Sequence, residues 1–158
     1  MKVVAFLQCQ WFRDPERVRG IIERRTAQEL AGNGDGMTAA QVREEYISYF
    51  LFAGCLTGKR LRAALGEEWK DRIVWEEVSR EIGGKSSSCF PAYLEHIHDV
   101  IARHQPRTVI AFGKVASDAL RSIEFNGILL HAPHPTARFP DVMDRLREVR
   151  FKLDHEAE

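Results

Sequence analysis

The sequence predicts an α/β protein, three-layer α/β/α with a central, mostly parallel four-stranded sheet, its 158 residues forming a single domain. Three observations predict it. Four short apolar runs of strand length are separated by segments whose apolar residues recur at helical spacing. Strand and helix patterns alternate, as they do where parallel strands are joined by crossover helices. The length suits one substantial hydrophobic core.

The elements follow in order. Residues 2–8 form an apolar run of the buried parallel-strand type. Asp14-Pro15-Glu16 then supplies a helix N-cap, a proline for the first helical position and an acidic first turn. That helix extends to about Leu30 and stops at Gly32-Asn33-Gly34-Asp35-Gly36. Thr38 caps a second helix running to about Phe50, and the turn at residues 54–58 leads to a third, with Thr57 as its expected cap and Leu61, Ala64 and Leu65 on its apolar face. Ile73-Val74-Trp75 is a short buried strand, followed by a loop over residues 79–88. Residues 91–104 read as a helix with Leu94, Ile97, Val100 and Ile101 at helical spacing. Strand 108–112, a turn at Gly113, helix 115–123, strand 127–131 and a last helix over about 140–155 complete the chain.

In parallel sheets of this kind, ligands bind beyond the carboxyl ends of the strands. Those ends carry Gln8-Cys9-Gln10-Trp11, Glu76-Glu77, Gly113-Lys114 and His131-Ala132-Pro133-His134-Pro135.

Composition bounds the function. Hydrophobic residues make up 44% and charged residues 29%, ordinary for a soluble globular protein. No apolar run approaches the ~20 residues of a bilayer span, and residues 1–7 are too short for a signal peptide. A cytoplasmic protein with no membrane association is expected. Cys9, Cys55 and Cys89 are far apart and form no CxxC pair, which fits a reducing compartment. Lys plus Arg and Asp plus Glu both number 23, so any nucleic-acid contact must come from a local basic patch rather than from net charge.

Several motifs fail on inspection. Gly54-Cys55-Leu56-Thr57-Gly58-Lys59-Arg60 has one residue too few between its glycines for a phosphate loop, and Arg60 stands where a magnesium-binding hydroxyl belongs. A helix start flanked by Lys59 and Arg60 still suits a DNA phosphate. His96 and His98, two apart, face different ways on a helix; His131 and His134 lack an obvious thiolate or carboxylate partner. No metal and no cofactor are expected. Cys9 with His134 is the start of a nucleophilic hydrolase or transferase site, but nothing supplies the third, orienting residue. Gly83-Gly84-Lys85-Ser86-Ser87-Ser88 is a loop whose hydroxyls, free N–H groups and lysine suit phosphate oxygens.

From Val3 to about Arg150 the chain resembles the uracil-DNA glycosylase superfamily. Three places carry the resemblance. Leu7-Gln8-Cys9-Gln10-Trp11-Phe12 looks like the family's water-activating motif after its first strand. Val109-Ile110-Ala111-Phe112-Gly113-Lys114-Val115-Ala116 is similar to its hydrophobic strand, glycine and helix start. Ala132-Pro133-His134-Pro135-Thr136-Ala137-Arg138 looks like its His-Pro-Ser loop.

The resemblance implies a monofunctional DNA glycosylase, which flips a pyrimidine out of DNA and hydrolyses its bond to the sugar. It makes His134 the donor to the departing base, where negative charge develops. Arg138, with Phe139 beside it, matches the wedge that fills the hole left by the flipped nucleotide. Trp11 matches the family's aromatic after the first motif, and Phe12 and Phe90 are further stacking candidates. Lys59, Arg60, Lys85, Ser86, Ser87 and Lys114 would line the DNA. DNA is the expected partner, with no obligate protein partner, and a monomer is expected.

Two departures carry information. Cys9 stands where the family has Asp or Asn to orient water, which leaves Gln8 or Gln10 as the amide candidates. Glu76 and Glu77 occupy the stretch where the family commonly reads the pyrimidine with Asn. An ionised carboxylate only accepts hydrogen bonds, so it suits the amino group of cytosine better than the O4 of uracil. The departures shift the expected substrate from uracil toward a cytosine-like or modified base, as in phage DNA, and the role toward defence. A non-catalytic DNA- or base-binding relative is the alternative, as is a Cys/His enzyme acting on a nucleotide-like substrate.

Overall fold

The computed structural model describes residues 1–8, 14–81 and 90–156. Four strands, β1 (Val3–Leu7), β2 (Ile73–Glu77), β3 (Thr108–Phe112) and β4 (Ile128–Ala132), pair in the order β2-β1-β3-β4. Every pair is parallel, so the sheet is wholly rather than mostly parallel. Among the described residues six helices accompany it: α1 (Pro15–Leu30), α2 (Ala39–Phe52), α3 (Leu56–Arg72, kinked at Gly66), α4 (Leu94–His104), α5 (Lys114–Arg121) and α6 (Val142–Glu156). None of the described helices is long and apolar enough to cross a membrane.

Strand residues alternate between two cores, as the pleat requires. Val3, Ala5, Leu7, Trp75, Ile110 and Phe112 pack with residues of α2, α3 and α6. Val4, Phe6, Val109 and Ala111 pack with α4 and α5 on the other face. The chain leaves β1 for β2 through helices of the first face, then travels the other way to β3 and β4 through α4 and α5. Opposite directions with helices on opposite faces give crossovers of one hand, as parallel connections require.

Local chemistry explains most boundaries. The Asp14 side chain accepts from the Arg17 N–H at 3.1 Å, with Pro15 at the first helical position. Thr38 and Gln41 form a reciprocal capping box at the start of α2. Several boundaries differ from the sequence expectation, and four of the differences have a local cause. Cys55, not Thr57, caps α3, its Sγ accepting from the Gly58 N–H. β2 continues through both glutamates, and the pairing runs on as the Val78 N–H donates to Leu7 O at 2.8 Å. α4 starts at Leu94 because Tyr93 is held extended, its N–H donating to Val78 O at 2.7 Å. α6 begins at Val142, after the Val142 N–H has turned back to Phe139 O.

Candidate functional site

Reversal of the chain's direction places the topological switch between β1 and β3, where open parallel sheets leave a crevice beyond the strand ends. Gln8 leaves β1 at this edge and Gly113 leaves β3. Gly113 has φ +88°, a backbone that favours glycine, and its N–H donates to Ala132 O at 2.9 Å. A Cβ at this position would lie 3.1 Å from His134 Cβ and 3.7 Å from its Cδ2, so the imidazole rests over Gly113. The β4 loop is thereby carried to the switch point.

The His134 ring is oriented by its own loop. The Thr136 N–H donates to Nδ1 at 3.2 Å, and Thr136 Oγ1 lies 2.8 Å from the same nitrogen. An amide N–H can only donate, so Nδ1 is the acceptor and the proton resides on Nε2. Burial pushes the His134 pKa below its ordinary value, which keeps the ring neutral near pH 7. The result is a neutral N–H donor at the carboxyl edge of the sheet.

The two glutamates, adjacent on a strand, separate to opposite faces. Glu76 turns toward α4, where its carboxylate lies 3.4 Å from His96 Nε2 and 3.6 Å from Arg103 Nη2. Glu77 turns toward α2 and meets Arg43 Nη2 at 3.4 Å. Arg43 also donates to the carbonyl of Ser79 at 3.1 Å, tying α2 to the segment that follows β2. Both carboxylates are buried and both face cations, so they do not share one pocket.

Glu44 on α2 extends this network, accepting from His104 Nε2 at 2.6 Å and from Arg103. Burial pushes its pKa up, but the hydrogen bonds and charges of His104 and Arg103 outweigh burial and hold it below the ordinary glutamate value. A depressed carboxylate stabilises the fold fully above its unfolded pKa, and that contribution disappears as pH falls through the lower folded value. Acid unfolding followed by circular dichroism is therefore expected to be less steep in Glu44→Gln. An unchanged acid slope would remove Glu44 from the account.

The basic rim is uneven. Lys59 and Arg138 are exposed. Lys114 is exposed and reaches Asp118 at 2.7 Å. Phe139 is 49% exposed, with Arg145 above its ring at 5.8 Å. Arg60 is half-buried and donates through Nη1 to Pro135 O at 2.7 Å, a contact across 75 positions of chain. Phe90 is half-buried, while Cys9, Gln10, Trp11, Phe12, Lys85, Ser86 and Ser87 lie outside the described residues. Sequence reading missed Thr136 as the group that sets the tautomer, although a hydroxyl residue two positions after a histidine is a readable sign. Arg43 gave no such sign.

A shallow groove of about 350 Å³ follows β2 from Ile73 to Trp75 between it and α2. Glu44, Glu45 and Met37 border it, and His134 and Gly113 take no part. Among the described residues no group of three or more His, Cys, Asp or Glu side chains is placed to hold a metal ion. Comparison with family models, curated proteins and solved structures gives no match.

Proposed function

We propose that this chain is a DNA glycosylase of the uracil-DNA glycosylase type, which hydrolyses the bond between a flipped base and its sugar. One observation carries the reading: the His134 ring, its Nδ1 accepting from the Thr136 N–H so that Nε2 is left as the donor, is seated over Gly113 at the switch point of a parallel sheet. Cleavage of the glycosidic bond leaves positive charge on the sugar and negative charge on the base. A fixed N–H facing the base oxygen is worth more in that transition state than in the ground state. The four-stranded parallel sheet, with Gln8 and the His134 loop at its carboxyl edge, supports the same reading.

Phe139 and Arg138, exposed just after the histidine loop, are the proposed wedge. A cytosine-like or modified base is the proposed substrate. Glu77 is buried and lies 3.4 Å from Arg43 Nη2, and a carboxylate, acceptor-only when ionised, matches an exocyclic amino group once that contact opens to the base. Glu77→Gln is the variant that addresses this choice, because an amide adds the donor that uracil O4 requires.

The test is direct. Purified protein is incubated with oligonucleotides carrying uracil, cytosine or modified cytosines, and with modified phage DNA, then treated with alkali to cleave abasic sites. Alkali-dependent breaks are expected on at least one of these DNAs; intact DNA in every case would overturn the reading. The pH profile adds a second check. Because burial lowers the His134 pKa, the neutral donor persists as pH falls past 6.5, and the acidic limb attributable to it should lie below that value. A rate that rises on protonation of His134 would be incompatible with a neutral donor.

A further inference from the structure

We infer that Arg60 is a positioning residue for His134: it holds the peptide unit that fixes the imidazole, and its guanidinium is committed to this loop rather than to a DNA phosphate. The functional importance of this latch rests on the reading of His134 as donor to the base; the latch itself does not.

His134, Pro135, Thr136 and Ala137 form a turn closed by the Ala137 N–H donating to His134 O at 2.9 Å. Proline is suited to the second position of such a turn, and among the described non-glycine residues only Gln105 has positive φ, so Thr136 keeps the ordinary backbone sign. Pro135 is buried, and a buried carbonyl needs a donor inside the protein.

The Pro135 carbonyl and the Thr136 N–H belong to one planar unit and point in opposite directions. Arg60 Nη1 holds the carbonyl end at 2.7 Å, and His134 Nδ1 accepts from the N–H end at 3.2 Å. Rotation of this plane would withdraw the N–H from Nδ1 and release the choice of tautomer. Arg60 stands near the start of α3, in the segment packed by Leu61, Ala64 and Leu65 ahead of the kink at Gly66, so the anchor is a helix rather than another loop. Lys59, the residue before Arg60, is exposed and faces solvent.

The test uses the ¹⁵N-labelled full chain and long-range proton–nitrogen spectra of its imidazoles, with His134 assigned by the signals lost in His134→Gln. The wild-type protein should show a pyridine-like Nδ1 and a pyrrole-like Nε2. In Arg60→Met the two signals should converge as tautomers mix, while the other histidines stay in place. Arg60→Lys, the milder change that keeps the charge, should move them in the same direction. Lys59→Met removes the same charge one residue away and should leave His134 untouched. On a DNA substrate, Arg60→Met should lower the rate about 10- to 100-fold with little change in DNA affinity or its salt dependence.

Unchanged His134 signals in both Arg60 variants would overturn the proposal, as would an equal change in Lys59→Met. A salt slope reduced by about one with His134 unmoved would identify Arg60 as a phosphate contact instead. If the His134 signals respond but no DNA loses a base, the latch stands and the glycosylase reading falls.

Discussion

His134→Ala is expected to lower single-turnover base release by about 100- to 1,000-fold, the range seen when one preorganised donor to a developing oxyanion is removed. Under the proposed function a neutral Nε2–H would meet the departing base without a prior protonation step, and the loop hydrogen bonds that orient it are internal to the protein. DNA affinity should change little, because the contact strengthens only as charge moves onto the base. His134→Gln separates donor loss from loop damage. A glutamine amide can place an N–H near the Nε2 position, so this variant should retain more rate than alanine. Equal rates for wild type and His134→Ala would end the assignment of His134 as donor. If the two variants lost rate equally and both lost the Arg60 contact to Pro135, loop collapse would be the cause.

Gly58→Ala is expected to destabilise the protein by about 3 kcal/mol or more, at the upper end for a small-to-large change. A Cβ on Gly58 would lie 1.8 Å from Leu51 O and 2.8 Å from its carbonyl carbon. Both are backbone atoms, so no rotamer change relieves the clash. α2 and α3 must separate, which opens the packing around Leu51, Leu61 and Leu65. The same movement carries Arg60 away from Pro135, so rate and stability should fall together. Urea unfolding measures the change, with a lower midpoint at an unchanged slope. Gly20→Ala is the contrast: its Cβ would meet only the mobile end of Arg24, and loss of a helical glycine should be neutral or stabilising by up to about 1 kcal/mol. Equal midpoints for the two variants would contradict the close helix approach.

The two glycines that give residues 54–58 their phosphate-loop look thus answer backbone needs. Gly54 has φ +139°, and Gly58 lets two helices touch. Spacing alone could reject the nucleotide site but could not supply the reason for the glycines, because the close contact joins two helices that only folding brings together.

Element type, order and most caps were legible because they depend on neighbours in the chain. Proline after Asp14 starts α1, Thr38 with Gln41 starts α2, and the apolar runs become strands of a parallel sheet. The histidine loop was legible as a loop for the same reason, since Pro133 and Pro135 flank His134 in sequence, while the part of Thr136 in orienting the ring was not. Tertiary structure alone decided what the charged groups do. Glu76 and Glu77, adjacent in the chain, are sent to opposite faces by the pleat and meet Arg103 and Arg43 from different helices. Arg60, one of several basic residues in sequence, becomes the anchor of a loop 75 positions away. A buried charge must find a partner, and which partner Glu76, Glu77 and Arg60 find is set by the packing of distant elements.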